Sequence, residues 1–169
     1  MRRPQANEAV SYYQGYIEQV VGDDILGVLA RQLDRAPAFF STISPERSLH
    51  RYQPGKWTFR ESVSHLNDAE RTFSFRAFWF ARGFDSPLPS FEQDPAVIAA
   101  RPDARPWEEH IEEFGVIRRS TLTLFESLSE EAWSRSGIAS GNSFTVRALA
   151  FTIAGHTEHH LSLLRERYF

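Results

Sequence analysis

His156 and His160 stand four residues apart in the run Ala154-Gly155-His156-Thr157-Glu158-His159-His160-Leu161. On an α-helix that spacing sets two side chains about 40° apart around the axis and one turn apart along it, so both imidazoles can aim at one point. Such a pair suits a divalent ion, and zinc and nickel accept imidazole nitrogen readily. A metal site with an open position for chemistry needs three protein ligands, so a third must come from another helix. His65 is the best placed, two turns into a helix and beside the small residues Ser62 and Ala69. His50 falls in a loop, His110 lies beside another helix's apolar stripe, and His159 sits about 100° around the axis from His160, so these rank below His65. Interior histidines satisfied by hydrogen bonds alone are the competing explanation, but two of them on one apolar seam would each need a buried partner. Spacing leaves both explanations standing.

The chain has no Cys, which removes thiolate ligands, disulfides and a cysteine nucleophile together. The order His156-Thr157-Glu158-His159-His160 is not the H-E-x-x-H of zinc proteases, because its acid falls at the second position and faces away from the pair. No Glu-x-x-His occurs, which disfavours a di-iron bundle. Glu70 is the candidate catalytic residue, as a general base or as an acceptor that orients an imidazole. Its alternative is an ion pair with Arg71 or Arg76. Tyr12, Tyr16 and Trp57 are candidates to line the mouth of a site, with plain aromatic packing as their alternative, and Asp94 is a further candidate.

Four helices must position these residues. The first spans about 23–40, with Ile25, Leu26, Leu29 and Leu33 as its stripe and Pro37 expected to kink or end it. Tyr12, Tyr13, Tyr16 and Ile17 suggest a short amphipathic lead-in. The second spans about 58–81; Thr58 and Glu61 form a capping box, and Gly83 is a stop. The third runs over about 106–128 from Pro106, with Trp107, Ile111, Phe114, Ile117, Thr121, Leu124 and Leu128 at alternating steps of four and three. The fourth spans about 145–167, where Leu149, Ile153, His156, His160 and Leu163 share one seam, two of them histidines where leucines are expected. Ser44 and Ser129 open short helical turns between the main helices. No segment alternates with a period of two over a sustained length, so the expected fold is all-α, a four-helix bundle in one domain over 1–169. The connection over 83–105 is long and holds Pro87, Pro89, Pro95 and Pro102, so it can cross the bundle and leave the second and third helices parallel, giving up-down-down-up topology.

Composition bounds the partners. With 14 Phe, 5 Tyr and 4 Trp the chain has material for an aromatic core. A net charge of −3 gives no general attraction to nucleic acid or an anionic membrane surface, and neither is expected as a partner. The aromatic stretch over 73–84 is broken by Arg76 and Arg82 and is too short to span a bilayer. The first eight residues are not followed by an apolar signal-peptide core, so a cytoplasmic location is expected.

With these residues in place, the chain resembles the DinB/YfiT-like superfamily of metal-binding four-helix bundles. The segments that carry the resemblance are Tyr52-Gln53-Pro54-Gly55-Lys56-Trp57-Thr58, Ser64-His65-Leu66-Asn67-Asp68-Ala69-Glu70-Arg71 and the run around His156 and His160. The resemblance implies one histidine from the second helix and two from the fourth around a divalent ion, positions matched by His65, His156 and His160. Zinc or nickel is expected ahead of iron or manganese. Members include transferases and isomerases that use low-molecular-weight thiols, so one reading is a metal-dependent enzyme acting with a small external thiol or water. Another is a non-catalytic, stress-related metal-binding or interaction protein, for which a fourth protein ligand would speak. A third is a helical module that meets its partner through an aromatic face; a homodimer is the expected assembly.

Overall fold

Three of the four long helices begin where a side chain takes over an orphan backbone amide. In the computed structural model, which describes residues 2–169, Asp24 accepts from Gly27 N at 3.1 Å at the start of α2 (Ile25–Phe40). Thr58 accepts from Glu61 N at 3.0 Å ahead of α3 (Phe59–Ala81), and Glu61 returns the bond by accepting from Thr58 N, so the capping box is formed. Thr145 accepts from Ala148 N at 3.0 Å ahead of α6 (Val146–Tyr168). The remaining long helix, α5 (Trp107–Glu126), starts after Pro106 with Glu108 and Glu109 in its first turn, where acidic residues suit the helix dipole. Two shorter helices complete the set: α1 (Ser11–Glu18), the tyrosine-bearing lead-in, and α4 (Gln93–Ala100). Of the domain expected over 1–169, position 1 lies outside the described residues.

Three features differ from the sequence expectation. Pro37 neither ends nor divides α2, which continues to Phe40; it costs the helix one amide near its end, and Ser41 N still bonds Pro37 O at 2.9 Å. The expected loop over 83–105 contains α4. An antiparallel hairpin pairs β1 (Ser136–Ala139) with β2 (Asn142–Thr145), so the fold is mostly helical rather than purely so. Its two-residue turn, Ser140 at φ 53° and Gly141 at φ 73°, has both central residues left-handed, as the twist of a tight hairpin demands. Leu88 on the connection bridges this hairpin, Leu88 N donating to Ile138 O at 2.9 Å and Ser140 N to Leu88 O at 3.1 Å.

In the frame, α3 packs on α5 and α6, α2 packs on the same two helices, and α1 lies along α6. The apolar interior falls into two groups. One, near the hairpin, includes Leu29, Phe73, Phe80, Phe125, Phe144 and Phe151; the other, at the opposite end, includes Phe40, Phe59, Leu66, Trp107, Phe114 and Leu161. Between them all four long helices turn polar at one level: Gln32 on α2, Glu70 on α3, Arg118 on α5, and His156, Thr157 and His160 on α6 are all buried. Buried polar groups need mutual partners, and that need fixes the relative heights of the four helices.

Candidate metal centre

The polar level divides into two parts. In one, Arg118 is fully buried and forks onto Glu70, Nε donating to Oε1 at 2.7 Å and Nη2 to Oε2 at 2.8 Å. Its remaining donors reach Gln32 Oε1 at 2.7 Å and Thr157 Oγ1 at 2.9 Å. Gln32 in turn donates to Ala154 O and to Glu158, and Glu158 pairs with Arg35. Both oxygens of Glu70 accept from Arg118, and the partner expected from sequence, Arg71 or Arg76, is not the one found. Arg71 pairs with Asp68 and Glu113, while Arg76 donates to Pro89 O and Ser140 Oγ.

The other part is histidine. His65 from α3 and His156 and His160 from α6 are each buried, and each offers a nitrogen within 4.8 Å of the other two. Their Nε2 atoms converge, 3.2 Å from His65 to His156 and 3.1 Å from His160 to His156. Hydrogen bonding cannot satisfy both contacts, because His156 Nε2 carries either one proton or one lone pair and can serve one neighbour well. Nδ1 of His65 and of His160 is buried without any partner, so the rings are not held by bonds on their far side. Two nitrogens about 2.0–2.1 Å from a tetrahedral ion stand roughly 3.3 Å apart, close to these separations, and one cation would accept all three lone pairs at once. The residues fit a divalent ion.

Electrostatics favours the same species. Burial pushes the His65 imidazole down to about 4, against the opposing negative charge of Asp94, and pushes His160 down to about 3, helped by His65 and His159. His156 is held well below the ordinary histidine value by burial and by its three histidine neighbours. All three are therefore neutral near pH 7, the form that binds metal.

Aromatic rings pack around the cluster. Trp57 lies 5.0 Å from His65 between ring centres, Tyr16 meets His156 edge-on at 5.2 Å, and Phe73 meets it at 6.0 Å. Tyr12 and Tyr16 share a hydrogen bond between hydroxyls at 3.2 Å, and burial raises the Tyr16 phenol above its ordinary value. Two cavities border the histidines. One of about 340 Å³ reaches His65 and His156 past Tyr12, Tyr16 and Phe91; the other, about 320 Å³, reaches His160 past Trp57. Asp94 and Gln93 of α4 border both. The remaining histidines stand apart from the cluster's nitrogens: His50 is exposed beside Tyr168, His110 is buried with Nε2 at 3.1 Å from Pro102 O, and His159 packs on Tyr16.

Sequence reasoning passed over Arg118, Gln32 and Thr157. A signal was present: Arg118 follows Phe114 by four residues and precedes Leu122 by four, an interior position for a charge, and such a position demands a carboxylate opposite.

These features define a helical bundle with a buried cluster of three imidazoles drawn from two helices. The chain belongs to the DinB superfamily, whose family model matches residues 29–164. Among solved structures, YfiT from Bacillus subtilis, described as a probable metal-dependent hydrolase with an unusual four-helix bundle topology, is similar with a TM-score of 0.71 and 14% identity, over 96% of this chain and 89% of its own. A mycothiol-dependent maleylpyruvate isomerase is similar with a TM-score of 0.70 and 13% identity, over 87% of this chain; the match spans 62% of the isomerase, less than two thirds of its length. No curated protein matches the chain by sequence. At these identities the likeness is one of fold. No helix among the described residues is long and apolar enough to cross a membrane.

Proposed function

We propose that the protein is a metal-dependent enzyme of small molecules, with His65, His156 and His160 holding zinc or nickel in a bundle of up-down-down-up order. The observation that carries this reading is the convergence of three neutral, buried Nε2 atoms with no fourth His, Cys, Asp or Glu in the cluster among the described residues, and with cavities on two sides. A structural zinc is closed by four protein ligands, so a three-donor set beside open space favours catalysis over a purely structural ion. A divalent ion held there supplies Lewis acidity, lowering the pKa of a thiol or water so that a nucleophile is available near neutral pH.

The chain's own groups do the rest. Burial keeps the three imidazoles unprotonated, and the aromatic surround of Trp57, Tyr16 and Phe73 restricts water around them. Glu70 is a positioning residue in this reading: through Arg118 and Thr157 it fixes the turn of α6 that carries His156. The chain has no Cys, so a thiol must be external. That the DinB-like neighbours are described as a metal-dependent hydrolase and a mycothiol-dependent isomerase supports water or a small thiol as the activated group.

The test is elemental analysis of protein purified without chelator, joined to turnover of a panel of electrophiles with glutathione, mycothiol, bacillithiol and no thiol. We expect one divalent ion per chain, lost in His156→Ala and His160→Ala, and turnover that requires the ion. Unchanged metal content in both variants would remove the site, and a loaded protein inert with every thiol and with water would remove the catalytic reading.

A further inference from the structure

The two cavities beside the histidines differ in charge. The one that reaches His156 is bordered by tyrosines and Phe73, with carboxylates and no Lys or Arg. The one that reaches His160 has Lys56 on its wall as well as Asp94, together with Tyr52, Trp57 and Tyr168. Lys56 is the single lysine of a chain whose other 18 strong bases are arginines. Among the described residues neither Lys56 nor Asp94 has an ion-pair partner, whereas Arg51, Glu61 and Asp103, in the neighbouring loop and helix starts, are all paired.

The segment that presents Lys56 is built. Lys56 N bonds back to Gln53 O at 3.2 Å, Gly55 takes the left-handed φ of 77° that the turn needs, and Arg51 donates to Lys56 O at 2.8 Å while also bonding Glu61. The next residue is clamped as well, Trp57 O accepting from the Tyr168 hydroxyl at 2.5 Å. Asp94 is brought to the same cavity by a different element, the first turn of α4. Lys56 and Asp94, both exposed and neither ion-paired, therefore share a cavity whose volume lies near the lower end of the roughly 300–1,000 Å³ usual for small-molecule sites.

We infer that the His160-side cavity binds a small zwitterion, a free α-amino acid whose carboxylate meets Lys56 and whose ammonium meets Asp94, with its side chain against Trp57 and Tyr52. A single charge of either sign would leave one of the two protein charges unmatched, whereas a headgroup carrying both matches them together. This rests on the reading of the histidine cluster as the functional centre, and it assigns the amino acid to one side of that centre.

L-norvaline, n-butylamine and pentanoate share the same four-carbon tail and differ in carrying both charges, the ammonium alone or the carboxylate alone. Titrated by calorimetry into zinc-loaded and zinc-free protein, norvaline should bind at least tenfold more tightly than either single-charge analogue. Lys56→Met should erase its advantage over butylamine, and Asp94→Asn its advantage over pentanoate. Equal affinities for the three, or variants that weaken all three alike, overturn the inference. Zinc uptake is read separately by elemental analysis. A protein that takes no zinc yet prefers norvaline refutes the metal reading alone, and one that takes zinc without the preference refutes the zwitterion alone.

Discussion

Glu70 and Arg118 face one another as a two-pronged ion pair between α3 and α5 with essentially no exposed surface. Taking two charges out of water is costly, and the pair is tolerable because Gln32, Leu29 O and Thr157 absorb the remaining guanidinium donors.

Breaking that pair from one side should be severe. Glu70→Gln leaves Arg118 charged and underpartnered in the core, and we expect a loss of about 3–5 kcal/mol in urea unfolding. Glu70→Leu combined with Arg118→Met should lie closer to the parent than either single change. A Glu70→Gln protein as stable as the parent would show that the pair is not the constraint described.

Acid should weaken the metal-free protein before its carboxylates titrate. The unfolded chain binds protons at histidine near pH 6.5, whereas folded His65 does so only at about 4 and folded His160 at about 3. Between those limits the unfolded state holds more protons, so stability falls as pH falls, by about 2 kcal/mol from His65 alone at pH 5. Urea midpoints at pH 7 and pH 5 measure this. An unchanged midpoint would contradict neutral burial, and His156→Gln should flatten the slope.

Gly155 lets α1 lie against α6. A Cβ there would run into the backbone carbonyl of Tyr16, which has no rotamer to escape through. Gly155→Ala should therefore cost about 1–3 kcal/mol and lift the Tyr16 ring from His156, visible as a change in the His156 ring resonances. Gly15→Ala, with nothing near its Cβ position, should be neutral or stabilising by up to about 1 kcal/mol. Equal effects at the two positions would refute the contact.

The capping box at α3 joins the helix start to the connection as well. Thr58 accepts from Glu61 N while donating to Asp103 Oδ1 at 2.7 Å. Thr58→Ala should lower stability by about 1 kcal/mol or somewhat more, and Thr58→Ser should restore most of it. Thermal melts of the three proteins decide the matter.

The long helices were legible because their signals are local: the stripe of α5, the Thr58 box, and histidines interrupting the seam of α6. The meeting of His65 with the α6 pair was accessible through spacing and family resemblance, since both act on the same helix faces. The hairpin was not, because four-residue strands reading Ser-Gly-Ile-Ala and Asn-Ser-Phe-Thr hold too little alternation to stand out; their pairing depends on the Ser140-Gly141 turn and on Gly137, where any Cβ would strike Phe80. Glu70's partner escaped for a related reason. Arg71 and Arg76 are near in sequence, yet the partner stands 48 residues away on α5, chosen by helix packing rather than by spacing along α3.

The connection carrying α4 is anchored at both ends. Leu88 is stitched to the hairpin, and beyond α4 the backbone carbonyls of Asp103 and Arg105 accept from Arg60, a residue of α3. Between these anchors the stretch meets the frame again, Arg76 of α3 donating to Pro89 O and Val97 of α4 lying buried, while Phe91, Gln93 and Asp94 border the cavities beside the histidines. Substitutions at those cavity-lining positions alter the approach to the imidazoles, whereas the imidazoles themselves are carried by α3 and α6, so the approach can vary while the cluster keeps its geometry.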